Sequence, residues 1–111
     1  MPIVLEKEAV HHSRDGVTAA YYQFPDIMNG TTVATAEFTG PHGERTIGDH
    51  PRMYVVTEGK GDFLINGEHY LAEKGDIVAI PPHATYNLFP QEGPVKIILF
   101  MELLDTSKLP K

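Results

Sequence analysis

Six histidines and no cysteine set the first limits on the chemistry open to this chain. Histidine binds metals and exchanges protons near neutral pH. Without cysteine there is no disulfide, no thiol nucleophile and no zinc–thiolate site. Most of the histidines read as ordinary surface groups. His11 and His12 stand together near the start and are expected to be solvated. His50 precedes Pro51 in a loop, and His83 follows the Pro81-Pro82 stop. His69 sits in a hairpin facing Leu64 and is read as a surface strand residue. Arg52 differs in kind. It is a permanent cation at the head of an apolar, strand-like run, with Tyr54 two residues further on the same face.

The elements that must position these groups are strands. Val33–Phe38 ends at Gly40-Pro41-His42-Gly43, and Arg52–Thr57 is expected to stop at Glu58-Gly59-Lys60-Gly61. Asp62–Ile65 then meets Glu68–Leu71 across Asn66-Gly67, which suits a type I′ turn with positive φ at both central residues. Lys74-Gly75 turns the chain into Asp76–Ile80, and Pro81-Pro82 ends that strand. Ala84–Phe89, a turn over Pro90–Pro94 and a last strand Val95–Met101 follow, the last apolar on both faces and therefore expected to be central. The segment Phe24–Ile27 is expected to form a loop or one turn of helix, and the tail Thr106–Lys111 to fray. Strands recurring about every 8–12 residues indicate a sandwich or barrel.

The 111 residues fit one domain, and 41% hydrophobic with 22% charged residues is a globular composition. A net charge of -6 argues against nucleic acid as a partner. No stretch approaches the roughly 18 apolar residues of a spanning helix, and acidic residues follow the short apolar start, unlike a signal peptide. The expected location is the cytoplasm, with no membrane partner.

From Gly40 onward the spacing resembles the cupin superfamily. From Gly40, six steps reach Thr46, eight reach Gly48, twelve reach Arg52 and nineteen reach Gly59. From Gly75, six reach Pro81, eight reach His83 and eleven reach Tyr86. Gly40, Gly59, Gly75 and Pro81 all fall in the register of the two cupin motifs, and the phrases YVVTEGKG and GDIVAIPP look like that family's strand ends. The resemblance implies an all-β, single-domain cupin, a double-stranded β-helix or jelly-roll barrel over residues 1–111. Its motif region covers about 40–90, with a strand/loop segment at 1–29 and a tail at 104–111.

In that family two histidines and a glutamate of the first motif, with one histidine of the second, hold a divalent metal. Here the corresponding positions carry Thr46, Gly48, Arg52 and Tyr86. A hydroxyl and a hydrogen are poor ligands for a divalent ion, and the guanidinium repels one. The resemblance therefore implies a cupin without a metal cofactor. The alternative is a metal-dependent isomerase or dioxygenase holding one divalent transition metal ion through an unorthodox set, His42, His50 and His83. His83–Asn87 fits the second motif if three residues are missing from the loop before it, and Glu44 could join that set.

In the frame without a metal, Arg52, Tyr54 and Val56 face the barrel interior while Met53, Val55 and Thr57 point outward. The expected ligand pocket is Thr46, Gly48, Arg52, Tyr54 and Tyr86, suited to a small anionic or sugar-like molecule. A guanidinium inside a barrel needs an anionic partner, either Glu44 or Glu37 or the ligand itself. Whether binding leads to catalysis is left open, as is the catalytic residue. Small cupins commonly pair, so a homodimer is expected.

Overall fold

The computed structural model describes residues 3–24 and 27–104, apart from the Asn29 side chain. One 3-10 turn, Glu6–Glu8, leads into eight strands: β1 Val10–Arg14, β2 Val17–Phe24, β3 Met28–Phe38, β4 Arg45–Thr46, β5 Arg52–Ile65, β6 Glu68–Glu73, β7 Ile77–Ile80 and β8 Thr85–Glu102. They pair antiparallel in the order β1-β2-β3-β8-β5-β6, with β4 on β8 and β7 on β5. The all-β barrel that the resemblance implied, one of the two forms the strand spacing allowed, is the fold observed. No helix among the described residues is long and apolar enough to cross a membrane.

Asn66 and Gly67 adopt φ of 49° and 84°, the two positive values that a type I′ turn needs. The Asn66 side chain also accepts a 3.0 Å hydrogen bond from the Thr85 amide, tying the hairpin to the start of β8. The strands on either side depart from expectation. Glu58–Gly61 does not end a strand, because β5 runs through it with register shifts on either side of Glu58. Pro90–Pro94 does not reverse the chain either; it is an irregular stretch inside β8, with positive φ at Glu92 and Gly93. The two irregularities lie against each other. Gly59 takes a φ of 81°, and a Cβ there would stand 2.3 Å from the Pro94 carbonyl oxygen. Paired bulges let two long strands bend together without breaking.

The N-terminal segment holds a hairpin, β1 and β2 joined at Asp15-Gly16. Phe24 closes β2, and the Ile27 amide bonds back to its carbonyl across the segment expected to form a loop or one turn. Pro25, Asp26 and the tail from Asp105 lie outside the described residues. β8 is central, between β3 and β5, and alternation along it buries Val95, Ile97, Leu99 and Met101 while Phe100 faces out. The same period buries Tyr54 and Val56 and leaves Met53 exposed.

Candidate functional site

Side-chain size decides where this barrel is hollow. On the inner face of β2 and β3, Ala19 lies opposite Ala36 and Tyr21 opposite Ala34, so methyl groups stand where a packed barrel carries branched side chains. These alanines line a cavity of about 570 Å³. Leu99 and Met101 of β8, Tyr54 and Arg52 of β5, and Leu104 complete its apolar and deep walls. Leu104 is held in place through Thr32, which is fully buried. Its hydroxyl accepts from the Leu104 amide at 2.9 Å and from the Gln23 amide group at 2.9 Å. Gln23 in turn donates to the Leu104 carbonyl.

The polar wall comes from β1, β4 and the turn between β3 and β4: Ser13 and Arg14, His42, Arg45 and Thr46. The chain contains three arginines, Arg14, Arg45 and Arg52, and all three line this cavity. Among the described residues no aspartate or glutamate lines it.

Arg52 is held at both ends. One terminal nitrogen donates to the Tyr86 hydroxyl at 3.3 Å, and the other to a Glu102 oxygen at 3.1 Å. Glu102, and neither Glu44 nor Glu37, is the internal carboxylate that pairs with it. The pair is not a full fork: Arg52 Nε and Glu102 Oε2 are buried without partners. Burial opposes the charge on Arg52, but Tyr86 and Glu102 outweigh it and raise the guanidinium pKa. The Tyr54 and Tyr86 hydroxyls lie 2.6 Å apart, their rings edge to face. Burial, then the neighbouring Tyr86, holds the Tyr54 hydroxyl protonated well above the ordinary phenol range.

His42 stacks obliquely between Phe38 and Tyr86, at centroid distances of 5.5 and 5.4 Å. Its Nδ1 lies 2.8 Å from the Gly43 carbonyl, which fixes a tautomer with Nδ1–H donating and leaves Nε2 as an acceptor. Burial lowers its pKa to about 4, and Arg14, Arg45 and Arg52 push the same way, so the ring is neutral at pH 7. Burial raises the Tyr21 pKa, while the same three arginines act to lower it.

The expected pocket residues part company here. Arg52, Tyr54 and Thr46 line the cavity, Thr46 at its exposed rim and bonded to Thr85 at 2.7 Å. Tyr86 is fully buried behind that wall and reaches Arg52 and Tyr54 through its hydroxyl. Gly48 lies on an exposed loop, where its carbonyl accepts from the His83 amide. His12, read as solvated, is half-buried and lines the cavity. The alternation of β2 and β3 held the signal for the alanine wall. Nothing in the linear pattern marked Arg14, Arg45 or Glu102.

A cupin-type metal centre would draw its donors from Thr46, Gly48, Arg52 and Tyr86, and that set does not fit a divalent cation. His42, His50 and His83 are not gathered either. His42 is in the cavity wall, His50 is exposed, and His83 pairs with Asp49 at 3.2 Å on an exposed turn. Among the described residues no three His, Asp or Glu side chains converge as a metal site.

Residues 30–93, more than half of the chain, match the AraC-like ligand binding domain, and the chain belongs to that family within the cupin superfamily. Over 80 residues it is 26% identical to the uncharacterized protein MJ1618 of Methanocaldococcus jannaschii, a match covering 68% of this chain and 64% of that protein. Among solved structures, a histidine-to-glutamine variant of Streptomyces PAC13 with uridine superposes at a TM-score of 0.80, with 18% identity, over 100% of this chain and 99% of that one. KdgF from Halomonas sp. superposes at 0.77, with 17% identity, over 93% and 94%. An RmlC-like cupin from Shewanella frigidimarina superposes at 0.78, with 14% identity, over 95% and 93%.

Proposed function

We propose that the chain works as one barrel that binds a small anionic or sugar-like molecule in this cavity through side chains alone, without a resident metal. One observation carries the reading: all three arginines and, among the described residues, no carboxylate line one hollow, in a chain whose net charge is -6. Guanidiniums present a planar fork that matches carboxylate and phosphate oxygens. Gathering them in a partly apolar hollow is costly unless an anion offsets the charge. The neutral His42 acceptor and the Tyr54 hydroxyl suit the hydroxyls of a sugar ring, and the alanine wall leaves room for one. The likeness to PAC13, described as a nucleoside dehydratase and solved with uridine, supports a ligand of that general shape.

Titration calorimetry with D-galacturonate tests the reading. Binding should weaken about tenfold in Arg52→Gln, the value of one charge-assisted contact. Absence of binding, or near-stoichiometric Mn, Fe, Ni or Zn that is removed by His83→Ala, would overturn it.

The same reading includes a cytoplasmic homodimer. The outer face of β3, β8, β5 and β7 sets Val33, Phe100, Met53 and Ala79 in one row and Thr35, Ile98, Val55 and Ile77 in the next. These eight residues are uncharged, and Ile77, Met53 and Phe100 are exposed among them. A second copy related by a two-fold axis would cover it without opposing like charges. A monomeric mass by light scattering at micromolar concentration would remove the dimer from the proposal.

A further inference from the structure

The three arginines are not equivalent. Arg52 is already committed to Tyr86 and Glu102 at the deep end, beside the buried Tyr54. Arg14 and Arg45 are exposed and stand where the lining residues open to solvent, with Ser13 and Thr46. Arg14 is tethered by one bond from its guanidinium to the His42 carbonyl, which leaves its other N–H groups available. Arg45 pairs with Tyr86 through its backbone, and its side chain makes no hydrogen bond or ion pair among the described residues. Neither outer arginine has a carboxylate partner among those residues, although the chain holds 15 acidic side chains against 9 basic ones.

Electrostatics links both to the interior. Arg14 and Arg45 each act on the His42 ring and the Tyr21 hydroxyl inside the cavity. The alanines and Leu99 that line the same cavity offer no charge and suit the body of a ring.

We infer that Arg14 and Arg45 form an outer anion subsite for a phosphate monoester, whose sugar-like ring occupies the alanine-walled cavity beneath. Two guanidiniums can share the three terminal oxygens of such a group, and the Ser13 hydroxyl adds a neutral donor at the same rim. A monocarboxylate would satisfy one fork and leave the second cation unpaired. The inference rests on the binding reading above and names its ligand class: a sugar or nucleoside monophosphate, bound with the phosphate outward and the ring inward.

Calorimetry with uridine, uridine 5′-monophosphate and inorganic phosphate as probes tests it on the full chain. The monophosphate should bind at least about tenfold more tightly than uridine. Arg45→Gln and Arg14→Gln should each erase most of that advantage, bringing the affinity for the monophosphate toward the same variant's affinity for uridine. Both side chains are exposed, so folding should survive, and matched circular dichroism spectra would check it. If uridine binds but the monophosphate binds no better, the outer subsite is wrong and the cavity reading stands. If inorganic phosphate binds as tightly as the monophosphate, the ring contributes nothing and the inference fails. If neither uridine nor its monophosphate nor galacturonate binds, the underlying cavity reading fails with it.

Discussion

The same two strands, β5 and β8, line both ends of this barrel, and the two ends do opposite things. Where Phe63 faces Leu88 and Gly61 meets Val95, the interior is solid; Phe63, Leu88 and Val95 have no exposure at all. Beyond the bulges, where Tyr54 meets Leu99 and the neighbouring strands carry Ala19, Ala34 and Ala36, the interior is open. The same strands run through both, so side-chain volume is what separates a packed end from an open one. Polar groups follow the same division. The closed end is apolar, and the open end holds every arginine in the chain.

Truncation at the closed end should produce the largest effect. Leu88→Ala leaves a hole in a region with no slack and is expected to cost about 2–5 kcal/mol in urea unfolding. A loss below about 1 kcal/mol would mean that the closed end is not tightly packed. Next in size is the pH response of the open end. His42 titrates at about 4 in the folded chain and near 6.5 when unfolded, so protons bind the unfolded state first. The contribution is complete above pH 6.5 and declines as pH falls toward 4, by about 3 kcal/mol at most. His42→Gln should therefore flatten the fall in urea midpoint between pH 6.5 and 4, and an unchanged slope would separate His42 from the acid response.

The smallest stability change should accompany the largest functional one. Ala36→Leu adds volume into the open cavity and should alter stability by less than about 1 kcal/mol while abolishing ligand binding. Gly61→Ala adds less volume at the closed end, yet its Cβ would lie 2.6 Å from a Leu88 methyl, and it should cost about 1–3 kcal/mol. Equal costs at the two positions would erase the distinction between the ends.

Much of the frame was legible because it depends on local backbone needs. Asn66-Gly67 declared its turn since few other pairs accept two positive φ values. The period of two placed Tyr54 and Val56 inside and Met53 outside. The long strands were harder to read. Glycines at 59 and 93 signal a turn and a bulge alike, and the choice lies with the opposing strand, here the Pro94 carbonyl against Gly59. The Asp15-Gly16 hairpin carried a turn signal of its own, but its polar β1 gave no apolar alternation to support it.

At the site, Arg52 and Tyr54 could be placed from one strand's alternation and Tyr86 from the motif register. Its partners could not. Glu102 lies 50 residues from Arg52 in sequence, and their contact depends on antiparallel registry at the end of β8. His42 and Arg45 lie close together at the turn into β4, but Arg14 reaches them only through the pairing of β1, β2 and β3. By itself the sequence determined the strand period, the tight turn and the unsuitability of four positions for a metal, because each rests on a residue's own conformational or chemical preference. Tertiary structure decided where the hollow lies and that three cations share it, because both are sums over side chains that meet only after the strands have paired.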